Sequence, residues 1–402
     1  MASAVPVATT QESTALRRFL ELDLLDNRYP ALHGMRVLGV VSVVQWHVTQ
    51  IFKVYNDLPM SPSMATASMA VFFGMDMFFV LSGFLIGSIL LRSIETSGKT
   101  QVRRFYVRRV FRTFPSYYLV LTYLVLTTAL TANQRHNLPF EYTYLTNYQS
   151  NHRDDIVMPW GWSLALEEQF YLVVPFLFFA LRKIEGDVAR LGLLVVLWSS
   201  TFFTRLVIYL HPYGIGSGTA FVDMYTRTHT RCDTLVCGII LAYVHFRWKA
   251  PITAWLQSPR ARAALALPSL GCLWIIVQPT MFGQSAVRLV EVFSWGTLTS
   301  IMYFGWVMLI LHGGDGWTRR ALSWPGFRRL ATLGYGVYLV HIPVCYALIT
   351  PSAKRLSEQG WSMAAVWPLS VLLLVAASLG FAYVLHVLVE KPALRLRDRV
   401  AR

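Results

Sequence analysis

The sequence predicts an all-α fold, a polytopic helical bundle embedded in a membrane, and three observations predict it. Only 14% of the residues are charged while 55% are hydrophobic, too little charge for a soluble chain of this size. Several apolar runs reach the roughly 20 residues needed to cross a hydrocarbon core. They are continuous rather than alternating, which argues against a β-barrel.

About ten spans are expected along the chain, near residues 35–53, 68–91, 113–131, 166–181, 191–210, 232–247, 263–279, 290–311, 330–349 and 365–389. The first 28 residues hold no apolar core, so no cleavable signal peptide is expected, and "TALRRFLELDLL" reads as a short interfacial helix. Basic residues recur in alternate connections. Arg17, Arg18 and Arg28 precede the first span; Arg92, Lys99, Arg103, Arg104, Arg108, Arg109 and Arg112 follow the second; Arg182, Lys183 and Arg190 follow the fourth. The intervening loops are basic-poor, with Arg135 and Arg153, then Arg227 and Arg231, then Arg288, then Lys354 and Arg355. The positive-inside rule then puts both termini in the cytoplasm, a multi-pass protein of the inner (plasma) membrane. Residues 1–28 form a cytoplasmic segment, 29–392 one transmembrane domain and 393–402 a cytoplasmic tail. No soluble domain or repeat is evident.

The net charge of +15 follows this topology rather than marking a nucleic-acid binder. Cys232, Cys237, Cys272 and Cys345 lack metal-type spacing and read as packing residues. "SGKT" at 97–100 has Ser93 where a P-loop needs glycine, and "GWSLA" at 161–165 is not a nucleophile elbow. Nothing suggests a metal or redox cofactor.

Four stretches carry chemistry. In "GMRVLGVVSVVQWHVTQIF", Arg36 and His47 lie three helical turns apart on one face, with a rise of about 16 Å. With Arg36 at the cytoplasmic surface, His47 reaches the middle of the bilayer, where an ionisable group needs a partner or a cavity. A neutral interhelical hydrogen bond and a general base are both open readings. "RRFYVRRVFRTFP" aligns Arg104, Arg108 and Arg112 on a helix with Arg109 beside them, suited either to lipid headgroups or to a polyanionic cytoplasmic ligand. In "WGWSLALEEQFYLVVPF", Ser163 and Glu167 share a face. Ser163 suits an N-cap, a role that leaves Glu167, Glu168 and Gln169 poorly explained. In "GYGVYLVHIPV", His341 is a second intramembrane histidine with Tyr338 on its face, a structural pair or part of a site. Asp76 and the Arg231/Asp233 pair, read as a local salt bridge, are weaker signals.

These motifs resemble the acyltransferase 3 family of integral-membrane O-acyltransferases. "ALHGMRVLGVVSVVQWHV", "GMDMFFVLSGFLIG", "FYVRRVFRTFPSYYLV", "WSLALEEQFYLVVP", "RCDTLVCGIILAY" and "YGVYLVHIPV" occur in the family's order over about 28–392. The resemblance implies an acyl-CoA co-substrate loaded from the cytoplasm and a hydroxyl acceptor on a glycan, glycolipid or glycosylated metabolite. Arg36 and His47 match its Arg/Lys-x10-His pair, Arg109 and Arg112 its R-x-x-R, and Trp162, Ser163 and Glu167 its W-S-L-x-x-E. His33 stands where the family often has Asp. The expected catalytic set is His47 as base, Glu167 orienting or charge-balancing it, and Ser163. Arg36, Arg108, Arg109, Arg112, Trp162, Tyr338 and His341 are expected to bind substrate, and any second transfer step is expected to need another protein. A proton-coupled transporter using the same histidines and acids is the competing reading, although no matched pair of interrupted helices marks two halves.

Overall fold

The computed structural model describes residues 20–56, 58–61, 64, 68, 71–97, 101–149, 153–210, 224–277 and 294–400. Every regular element among them is helical.

A helix overlaps each of the ten expected spans: α1 Pro30–Tyr55, α2 Gly74–Ser97, α3 Val102–Thr127, then, after the short α4 Ala132–Tyr142, α5 Trp162–Lys183, α6 Asp187–Leu210 and α7 Asp233–Arg247. The seven-residue α8 Lys249–Trp255 follows at 91° to α7. Next come α9 Pro259–Val277, α10 Thr299–His312, α11 Trp317–Leu322, α12 Pro325–Val344, α13 Thr350–Glu358, α14 Met363–Leu385 and α15 Lys391–Val400. Six helices or continuous helical runs are long and apolar enough to cross a membrane, seven if the bent α7–α8 pair is one span. The long helices α1 and α3 fall outside that set; α1 carries Arg36 and Lys53, and α3 its arginines.

Three boundaries differ from the expectation. The arginine segment and the third span are one helix, α3, with Pro115 inside it rather than at its start. Proline takes away one N–H, but the flanking helical turns carry α3 through. The last two spans run on through π-helical turns at Cys345–Ile349 and His386–Glu390 into α13 and α15. Finally, of the interfacial helix expected over "TALRRFLELDLL", residues 14–19 lie outside the described residues, Leu20 is helical, and residues 21–25 are not. Residues 22–27 have no regular secondary structure and lie across the bundle as a strap. Its backbone is held by partners far along the chain: Asp23 N–H donates to His386 Nε2 (3.3 Å), Leu25 N–H to Thr332 Oγ1 (3.3 Å), and Leu25 O accepts from Arg328 Nε (2.7 Å). Backbone groups tied down in this way have no need of helical partners.

Small residues let the helices approach. On α2, Gly83 and Gly87 face α7; a Cβ on Gly83 would meet Leu235 O at 2.0 Å, and one on Gly238 would meet Val80 O at 2.2 Å. This is the small-xxx-small contact by which membrane helices pack without a hydrophobic drive. On the other side of α1, Gly336 of α12 meets Ala382 of α14. One apolar core joins α1, α2, α5, α7 and α10; a second joins α1, α12 and α14. The first helix therefore lies between the two.

The Arg231/Asp233 pair of the sequence reading is re-sorted. Arg231 forms a bidentate pair with Asp76 (2.6 and 3.0 Å), while Asp233 pairs with Arg205 (2.8 Å). All four side chains are fully buried. An Arg at i and an Asp at i+2 point to different sides of a helical turn, so each finds a partner on another helix.

Candidate active site

Where α1, α2, α3, α5 and α12 converge they enclose a cavity of about 160 Å³. Its polar lining is Arg36, Ser82, Arg109, Arg112, Thr113, Ser163 and Glu167, with Tyr171, Tyr335 and Tyr338 around them. Helical spacing explains which residues arrive. Arg36 and Val40 are i, i+4 on α1; Arg109 and Arg112 are i, i+3 on α3; Ser163, Glu167 and Tyr171 are i, i+4, i+8 on α5.

The three arginines are half-buried, and none forms an ion pair with a described carboxylate. The Arg109 guanidinium stacks over the Tyr171 ring at 4.9 Å. Glu167 faces Ser82, Tyr171, Arg36 and Arg109, and Ser82 Oγ lies 2.6 Å from Tyr171 OH. A cavity lined by three such cations is chemically suited to an anion.

His47 and His341 lie beside this cavity and touch each other, with ring centroids 4.8 Å apart. His341 Nδ1 is 2.7 Å from the Tyr338 carbonyl, His47 Nδ1 is 2.9 Å from the Val43 carbonyl, and His341 Nε2 is 3.1 Å from His47 Nδ1. A carbonyl oxygen only accepts, so both Nδ1 atoms carry hydrogen. Neutral His341 therefore presents Nε2 as an acceptor to the Nδ1–H of His47, and the lone pair of neutral His47 sits on Nε2. When Nε2 takes a proton, the Nδ1–H of the imidazolium is already bonded to two acceptors. The serine-protease triad uses the same logic, with a carboxylate where His341 stands.

Tyr338 joins the histidine pair to the cavity. Its carbonyl fixes His341, its ring lines the cavity, and its hydroxyl donates to Trp160 O (2.8 Å) and meets Ser163 Oγ. Ser163 is not an N-cap: α5 starts at Trp162, and the Ser163 hydroxyl reaches Trp160 O at 3.3 Å. The Trp160–Ser163 segment is delivered by the connection after α4, whose described part holds three 3-10 turns with Thr146, Asn147, Trp160 and Gly161 buried. Buried Glu141 accepts from the N–H groups of Val157 (2.9 Å) and Met158 (2.8 Å). Burial pushes its carboxyl above the usual carboxylate range, opposed by these two bonds. Gln169 locks the same connection by donating to Tyr144 O (2.8 Å) and Asn147 Oδ1 (2.8 Å).

Several expected site residues lie elsewhere. Arg108 is exposed on the far side of α3, in a surface groove with Arg103, Arg104 and Asp398. The i, i+4, i+8 row through Arg104 and Arg108 splits, because only Arg109 and Arg112 turn toward α5. Trp162 packs against Phe79 and Tyr225 instead of lining the cavity. The neighbour of His47 is His341, not Glu167, which faces the arginines. The sequence reading passed over Ser82, Tyr171 and Tyr335. Tyr171 was legible as the next i+4 step after Ser163 and Glu167; Ser82 and Tyr335 carried no signal beyond lying in quoted motifs.

The family model described as an acyltransferase domain (acyltransferase 3) matches residues 29–387. Among curated proteins, the chain is 27% identical over 83% of its length to the peptidoglycan O-acetyltransferase OatA of Listeria monocytogenes, covering 51% of that protein. It is 29% identical over 81% of its length to the putative peptidoglycan O-acetyltransferase YrhL of Bacillus subtilis, covering 50%. A putative O-acetyltransferase of Staphylococcus aureus is 25% identical over 78% of the chain, again with 50% covered. The chain thus spans about half the length of the curated relatives it matches. No solved structure matches. These matches lend no support to the transporter reading.

Proposed function

The chain belongs to the acyltransferase 3 family of membrane O-acyltransferases, and from that premise we propose that it moves an acyl group from cytoplasmic acyl-CoA to a hydroxyl of a glycan-type acceptor. The bundle crosses the plasma membrane about ten times with both termini inside. The observation that carries this reading is a cavity with three arginines lacking carboxylate partners, beside a pair of histidines whose tautomers are each held by a backbone carbonyl.

In this mechanism the donor phosphates bind Arg109 and Arg112, and the pantetheine arm runs past Arg36 toward His47. The acceptor hydroxyl gives its proton to His47 Nε2 as its oxygen attacks the thioester carbonyl. The C–S bond breaks, CoA leaves as thiolate, and the His47 imidazolium returns the proton to it. His341 acts through His47 as a positioning residue. Glu167 sets the charge balance of the arginines and does not orient the base. The names of the relatives favour an acetyl group and a peptidoglycan-like acceptor.

Purified protein in nanodiscs, given acetyl-CoA and glycan fragments, should release free CoA and yield an O-acetylated product. Absence of acceptor-dependent CoA release would reject the donor. Topology is tested separately: a cysteine at exposed Gln101 should resist membrane-impermeant label in intact cells.

A further inference from the structure

A second, smaller cavity of about 100 Å³ opens where the strap crosses α1 and α2. Its wall is Asp26, Arg28 and Tyr29 of the strap region, His33 and Arg36 of α1, and Ser88 and Arg92 of α2. It meets the acyl-transfer cavity at Arg36 and Leu85, which line both. A water molecule's share of liquid is about 30 Å³, so the space holds a few waters or one phosphate group.

His33 singles this cavity out. Its side chain is 4% exposed, and neither ring nitrogen makes a hydrogen bond of good geometry, although one side faces the Asp26 backbone. Ser88 Oγ, 3% exposed, also lacks a well-formed one and faces Tyr29. Buried polar atoms are nearly always paired, and such groups left over at a cavity wall mark a ligand. The cations around them decide its sign. Arg92 is half-buried, donates to Tyr29 OH (2.7 Å) and lies over the Phe246 ring at 5.3 Å; its guanidinium has donors to spare. Arg36 closes the inner end without an ion pair. The one carboxylate, Asp26, is taken by Arg28 at 2.8 Å.

We infer that this cavity is a phosphate subsite in which His33, Ser88 and Arg92 hold a phosphate of the acyl donor at the mouth of the acyl-transfer cavity. It rests on the acyl-CoA reading for the identity of the ligand. The anion accepts from an imidazole N–H, the Ser88 hydroxyl and the guanidinium. Arg36, shared by both cavities, joins this phosphate to those that Arg109 and Arg112 hold.

Two measurements test it. Phosphorus NMR titration of the detergent-purified protein with inorganic phosphate reads the subsite without any donor. His33→Ala with Ser88→Ala should weaken binding at least about tenfold, the least that one charge-assisted hydrogen bond is worth. His33→Gln, which keeps a donor, should restore part of it. Kinetics then assign the ligand: the double variant should raise KM about tenfold for acetyl-CoA, leave kcat unchanged, and leave S-acetylpantetheine, which has no phosphate diester or nucleotide, unaffected. Equal loss with both donors would make His33 structural, and unchanged phosphate binding would remove the subsite. Phosphate binding that disappears only in phosphatidylglycerol nanodiscs would assign the cavity to a lipid headgroup and overturn the donor assignment. If wild type fails to use acetyl-CoA while phosphate binding still depends on His33, the donor reading falls and the anion site stands.

Discussion

Two groups of arginines inside the bundle, one at the Asp76 end of α2 and one around Arg36, solve the same physical problem in opposite ways. In the first, Arg231 and Arg205 are fully buried and each meets a carboxylate: Asp76 for one, Asp233 for the other, with Thr299 Oγ1 also on Asp76 at 3.1 Å. In the second, Arg36, Arg109 and Arg112 line a cavity and none meets a carboxylate within ion-pair distance among the described residues. Charge inside a membrane protein is costly. The first group meets that cost within the chain and holds α2, α6, α7 and α10 in register. The second forms no ion pair, with only Glu167 facing two of its arginines, and in the proposed mechanism the donor phosphates meet the rest of the cost. Pairing, more than burial, separates an arginine that builds the bundle from one that serves a ligand.

Substitutions can break this contrast. The largest effect should fall beside the second group. His47→Ala removes the base, and loss of general-base assistance should lower turnover about 10²–10⁴-fold, while size-exclusion profile and donor binding stay near wild type. Loss of folded protein instead would make His47 a packing residue. His341→Ala should lower turnover by a smaller factor, with an altered pH profile, because it frees the His47 ring rather than removing it.

The first group should respond in stability. Asp76→Ala strands the Arg231 guanidinium, and breaking a buried pair costs about 3–5 kcal/mol, enough to empty the monodisperse peak in detergent. Joint replacement, Asp76→Leu with Arg231→Met, should recover much of the yield. If Asp76→Ala folds well and only activity falls, the contrast between the groups fails.

Next in size, Arg109→Ala with Arg112→Ala should raise KM for acetyl-CoA at least tenfold with little change in melting temperature. Lysine should rescue only partly for want of the planar fork. The smallest effect sharpens the point: Arg108→Ala, one position from Arg109 but exposed beside Asp398, should change neither KM nor stability measurably. A large KM effect there would move the donor site to the outer face of α3.

Much was legible without coordinates, for definite reasons. Apolar run length and charge content specify a helical membrane protein, since lipid leaves backbone groups no other partners. Helical periodicity put Arg36 and His47 on one face, and Ser163 with Glu167 on another, because 3.6 residues per turn is a local property of the chain. The R-x-x-R spacing of Arg109 and Arg112 likewise follows from one helix alone.

What periodicity could not say is which helix each face meets. That Arg231 crosses to Asp76 instead of pairing with Asp233, that His47 finds His341 rather than Glu167, and that Arg108 turns away while Arg109 turns in were decided by the packing of separate helices. The contact between His47 and His341 joins residues 294 positions apart. No local rule links two such distant positions; the α1–α12 contact exists because Val44, Leu333 and Val337 share one apolar core. The sequence by itself determined the class of molecule and the faces its helices present. Only the tertiary structure decided which charges are paired and which are left for a ligand, because a buried charge takes its partner from whichever helix packs against it.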